Sequence, residues 1–279
     1  MHSSRWLTGS VVVALALAIA GCGNGSDGTS AEGVARSATH SWNGYHWART
    51  TPSFTLALGD NVSSFWDGYL ATASSDWSQS NVLDTVVAAG GTRPRPCKAT
   101  RGRVEVCSTT YGYNGWLGIA TIWLSGDHIT AGTVKMNDSY FNSATYNTPG
   151  WRHLVMCQEI GHTFGLDHQD ETFDNQNLGT CMDYTNDPTG TLYAYNQNKS
   201  NEHPNTHDYE ELGIIYQHTD TTTTVGQTVA ADLPGNSEDV PEAAGWGRLV
   251  HASPDGRSAV YEAELGDGNK TVTFVIWAL

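Results

Sequence analysis

Gln158-Glu159-Ile160-Gly161-His162-Thr163-Phe164-Gly165-Leu166-Asp167-His168 is the stretch whose reading decides the fold. It keeps the pattern H-E-x-x-H-x-x-G-x-x-H at every fixed position but the first, where Gln158 stands in place of histidine. Residues four apart share one face of an α-helix, so positions 158 and 162 can reach the same metal ion. Glu159 lies to the side of that face, where a carboxylate can act on a bound water without being a ligand. Gly165 can end the helix in a left-handed conformation, and His168 can then swing in from outside it. Three protein groups on a zinc ion leave a fourth position for water, whose pKa falls to about 7. Thr148 and Pro149 read as the cap and first position of this helix. His153, Met156, Ile160 and Phe164 fall on one stripe, with Gln158 and His162 roughly opposite. His153 is read as a packing or capping residue.

Cys181-Met182-Asp183-Tyr184 follows, with Met182 fourteen residues after His168. The long metal motif together with this downstream Met and Tyr resembles the metzincin zinc metallopeptidases. The resemblance implies zinc held by His162 and His168, Glu159 as general base and Met182 as the methionine of a turn beneath the metal. Tyr184 is implied as an extra ligand or a donor to the transition state. It further implies an α+β fold, with a twisted mixed sheet above the metal-bearing helix. A polypeptide substrate is expected to lie extended along an edge strand. The likeness spans roughly residues 50–220.

Gln158 leaves three readings open. Its amide oxygen can be a genuine third ligand, a weaker donor than imidazole. A later histidine, His203, His207 or His218, can complete the site instead. Or the metal is lost and the fold survives as a module that binds peptide or protein. Asp167 and Asp170 flank His168 and can orient it. The Asp and Asn residues near Asn137-Asp138 and between 170 and 174 are candidates for structural Ca2+, without a full calcium-loop pattern.

The N-terminus bears on location. Residues 1–21 read as a signal peptide, ending in Ile19-Ala20-Gly21-Cys22, which resembles a bacterial lipobox. The expectation is a lipid on Cys22, a flexible tether over 22–40, and a protein anchored to the outer face of a bacterial membrane by that lipid alone. Setting Cys22 aside leaves Cys97, Cys107, Cys157 and Cys181, and an exported chain points to two disulfides. Of three connectivities, Cys97–Cys107 is favoured as a local clasp. Cys157–Cys181 is favoured because each cysteine adjoins a motif element. The formal charge of −15 argues against nucleic acid as a partner. Oligomeric state is not legible in the sequence.

Alternation and turn residues place strands at 53–58, 82–88, 117–124 and 130–136, the last a candidate edge strand. A hairpin is expected over 98–110 around Arg101-Gly102. Helices are expected at 63–77, with Phe65, Trp66, Tyr69, Leu70 and Ala73 buried, and at about 207–216. A peptidase-like domain therefore spans 41–219 and a linker 220–244. Residues 245–279 form a small β-rich segment that either packs on the main domain or stands apart as an appendage. Its strands are expected at 247–252, 258–265 and 270–277.

Overall fold

Alternation in the chain becomes alternation in space. A computed structural model describes residues 39–227, 233 and 245–278. The expected signal peptide, the lipid site Cys22, most of the tether and most of the linker lie outside these residues. Phe54, Leu56 and Leu58 point into the core from β2 (Phe54–Asn61), and Leu83 and Thr85 do the same from β3 (Leu83–Ala89). The remaining strands are β1 (His46–Trp47), β4 (Val104–Thr109), β5 (Trp116–Ser125), β6 (His128–Asn137), β7 (Arg248–Ala252), β8 (Ser258–Gly266) and β9 (Asn269–Trp277). They form one mixed sheet in the order β3-β2-β4-β6-β5-β9-β8-β7, with β1 beside β6. From β3 to β6 the strands are parallel, and from β5 to β7 each pair is antiparallel.

Helices among the described residues include α1 (Asp67–Trp77), α2 (Asp138–Phe141), α3 (Pro149–His162) and α4 (Thr206–Ile215). Thr148 caps α3 by accepting the Trp151 N–H, and Pro149 opens the helix as expected. Almost all of α3 is buried, against α1 on one side and β5 and β6 on another. Asn205 caps α4 in a capping box with Asp208. Trp47, Trp66 and Trp77 are fully buried and pack into the core that surrounds α3. Among the described residues no helix is long and apolar enough to cross a membrane.

Three expectations are corrected. Residues 98–110 form no hairpin: β4 lies parallel between β2 and β6, so both its edges are taken and 98–103 has no strand to join. The Cys97–Cys107 bond holds that irregular stretch against β4 instead. Residues 130–136 are not an edge, because β6 sits between β4 and β5. Phe65 is 59% exposed, since α1 begins only at Asp67 and the ring precedes it. Of the two outcomes expected for residues 245–279, the described part packs on the main domain: β9 hydrogen-bonds along β5 and continues the main sheet. β5 is buried along nearly its whole length as a result.

Candidate metal centre

The end of α3 builds the site. Thr163 ends the helix, and Gly165 turns the chain at φ +97°; a Cβ there would lie 1.9 Å from the Tyr45 carbonyl oxygen. Only glycine satisfies both demands. The turn brings His168 back to His162, with ring centroids 4.5 Å apart. Leu166, inside the turn, accepts from His162 Nδ1 at 2.9 Å. That carbonyl fixes the proton on Nδ1 and leaves the Nε2 lone pair free for a metal. Burial, and then the neighbouring His168, hold the His162 pKa down at about 3.

Gln158 is fully buried, and its Nε2 donates to the Cys181 carbonyl at 2.9 Å. Only the amide nitrogen can make that bond, so the orientation of the side chain is decided and Oε1 is left without a hydrogen-bond partner. Glu159 is buried as well, and its Oε2 has no partner. Burial raises its pKa well above the ordinary carboxylate range, opposed only by the Ala120 N–H. Gly118 on β5 makes room for this carboxylate; a Cβ there would come within 2.8 Å of Glu159 Oε1.

His168 is steered from one side by Asp167, with Nδ1 to Oδ1 at 3.4 Å, and by Glu171 at 3.7 Å. Asp170, expected in that role, instead accepts from Thr172 N–H and Asn175. His168 Nε2 is buried without a partner. Tyr184 packs over His168 at 4.2 Å and stacks on Phe173. Its hydroxyl bonds Ser258 of β8, and burial pushes its pKa well up. Met182 is buried beneath α3, so close that a Cβ on Gly161 would lie 2.7 Å from Met182 Sδ. The Cys157–Cys181 disulfide joins the helix to this turn.

Gln158 Oε1, His162 Nε2 and His168 Nε2 are oxygen and imidazole donors of the kind that hold zinc, with Glu159 beside them. The orphaned atoms fit a cation, because a buried acceptor without a partner otherwise carries an unrelieved desolvation cost. The three downstream histidines are engaged elsewhere. His203 bonds Asp76, His207 lies beside His40, and His218 lies beside His46 and Asp220. The candidate calcium positions bond within the protein: Asp138 accepts from Trp66, and Asn186 donates to Asp174.

What sequence reading missed is the cover over the site. β9 runs antiparallel to β5 with Phe274 opposite Ala120. The Phe274 ring stacks flat on His162, centroids 4.2 Å apart and planes 4° from parallel. Trp42 meets Phe274 edge-on, and His251 of β7 bonds Glu171, the residue that steers His168. The alternating Thr271-Val272-Thr273-Phe274 announces a strand but not its neighbour.

No family model matches the sequence, and no curated protein does. Among solved structures, the chain resembles high choriolytic enzyme 1, a hatching enzyme zinc-protease from Oryzias latipes (medaka fish). The two are 11% identical with a TM-score of 0.31, over 62% of this chain and 94% of that one, so the likeness is slight.

Proposed function

We propose that the chain is a zinc endopeptidase of metzincin type, anchored outside the cytoplasm by a lipid on Cys22 and held latent by its own C-terminal strands. One observation carries the reading: Gln158 Oε1, Glu159 Oε2 and His168 Nε2 are all buried without partners around the turn that also frees His162 Nε2. Gln158, His162 and His168 would hold the ion. Zinc bound there supplies a Lewis acid that makes water nucleophilic near neutral pH. Glu159 would take the proton of the attacking water at Oε2, and its raised pKa suits it to return that proton to the leaving amine. Tyr184 would donate to the oxyanion of the substrate carbonyl once released from Ser258. The antiparallel β5 beyond the parallel strands supports the family assignment, since an extended polypeptide would pair with it. β9 takes that place in the closed chain.

A second reading, a non-catalytic fold that binds a partner, draws on the Gln158 amide, a poor zinc ligand tied to Cys181. Zinc content and peptide cleavage separate the two. Full-length wild type should hold zinc that His162→Ala removes, and Gln158→His should hold it more tightly. Phe274→Ala should switch on hydrolysis of an unstructured polypeptide, and adding Glu159→Gln should abolish it. Absence of any zinc sensitive to His162→Ala rejects the peptidase and leaves the binding module.

A further inference from the structure

Four side chains that play no part in the motif lie together: His46, His128 and Asp220 form a mutual cluster, and His218 adjoins it through His46 and Asp220. His46 comes from β1, His128 from the first residue of β6, and His218 and Asp220 from the segment after α4. His46 Nε2 lies 3.2 Å from His218 Nε2 and 3.5 Å from Asp220 Oδ1. Asp220 Oδ1 lies 3.2 Å from His128 Nε2 and 3.5 Å from His218 Nε2. We infer that these residues form a second, structural zinc site with a His3Asp donor set.

The distances are those of a coordination shell. Ligand bonds of about 2.0–2.1 Å in a tetrahedron put neighbouring donor atoms about 3.3–3.4 Å apart. Four of the six donor separations of a tetrahedron, 3.2 to 3.5 Å, bracket that edge. His46, His128 and Asp220 offer donor atoms all within 4.8 Å of one another, and His218 adjoins two of them, His46 and Asp220. The donor atoms are also preset. His46 Nδ1 lies 2.8 Å from the Gly44 carbonyl, so the proton sits on Nδ1 and Nε2 is a bare lone pair. Asp220 Oδ2 accepts the Arg49 N–H at 2.9 Å, which leaves Oδ1 to face the imidazoles. A bare Nε2 facing a carboxylate oxygen repels it until a cation lies between them. Three imidazoles and one carboxylate select a borderline-soft ion, zinc foremost. His46 is buried, His128 and Asp220 are partly exposed and His218 is exposed, which gives the ion a way in.

Four protein ligands leave no open position, so the site is structural. It would pin three segments that are distant in sequence around the end of α3. Trp47, next to His46, donates Nε1 to the Thr163 carbonyl. Tyr216, two residues before His218, donates its hydroxyl to the Phe164 carbonyl. The ion would thus brace the turn that carries His168.

The site stands independently of the proposed peptidase centre, and the test keeps them apart. Full-length wild type, His128→Ala, His218→Ala, Asp220→Asn and His162→Ala are purified with zinc supplied, and metal is measured by elemental mass spectrometry. Each of the first three variants should lose one zinc per chain that His162→Ala retains. Chelation should lower the melting temperature of wild type and His162→Ala and leave that of His218→Ala unmoved. Cobalt loaded into His162→Ala should show tetrahedral visible absorption that the double variant with His218→Ala lacks. The inference is overturned by wild-type zinc content in both His218→Ala and Asp220→Asn, or by a chain that takes up no zinc beyond the His162-dependent ion.

Discussion

Asp208 is a fully buried carboxylate, and its surroundings favour the neutral form. Burial raises its pKa to about 6, against hydrogen bonds from Thr180 and the Asn205 N–H that lower it. Both donors meet Oδ2, while Oδ1 faces His40 Nε2 at 3.6 Å. His40 Nδ1 is committed to the Asp167 carbonyl, so Nε2 can accept the proton that Asp208 keeps. The folded state therefore binds this proton more tightly than the unfolded chain does. Stability from this group is greatest below about pH 4 and falls as pH rises to about 6, by at most about 3 kcal/mol. Asp208→Asn should keep the cap, its amide donating to His40, and flatten the melting temperature between those limits. An unchanged pH slope in the variant would contradict the assignment. Reading the sequence singles out His162, His168 and Glu159 because their spacing is local. His40, Phe274 and Ser258 escape it because each meets the site from more than a hundred residues away or from another strand.

At the scale of elements, α3 and the turn at Met182 act as one piece. The 24-residue loop closed by Cys157–Cys181 should contribute about 3 kcal/mol through the unfolded chain. Gly161 lets the turn approach, since an added Cβ would lie 2.7 Å from Met182 Sδ and 2.8 Å from the Trp77 ring. Gly161→Ala should cost about 1–3 kcal/mol by overpacking, read as a lower urea midpoint. Gly213, in α4, has open space around it. Gly213→Ala should instead stabilise, by roughly 0.5–1 kcal/mol, through helix propensity alone. Opposite signs for one chemical change would show that the close approach, not glycine itself, is what matters. Both disulfides and the bounds of α3 are legible beforehand, because caps, cysteine neighbours and spacing are near in sequence. The role of β6 was not, because an edge differs from a centre only by what lies beside it.

For the whole molecule, the decisive contact is β9 on β5. A chain ending at Gln227 would lose β7, β8 and β9, and would leave the β5 ladder and the apolar surface beneath Phe274 uncovered. Unpaired edges of that kind recruit other chains. The truncated protein should elute as oligomers or aggregate, where the full-length chain does not, on size exclusion with light scattering. A monodisperse monomer with an unchanged melting temperature would mean that the C-terminal strands contribute little to the fold.

The sequence by itself determined the α+β class, the metal helix with its glycine turn and the three C-terminal strands, and it favoured the disulfide pairs that the structure shows. Each of these depends on periodicity or on residues within a few turns of one another. Tertiary structure decided which strand is central, what covers His162, and that His46, His128, His218 and Asp220 meet. The four-residue cluster depends on contacts between segments 92 to 172 residues apart, and the cover on His162 on a strand more than a hundred residues away. Backbone hydrogen bonds are the same for every residue type, so the identity of a neighbouring strand leaves no local mark in the chain.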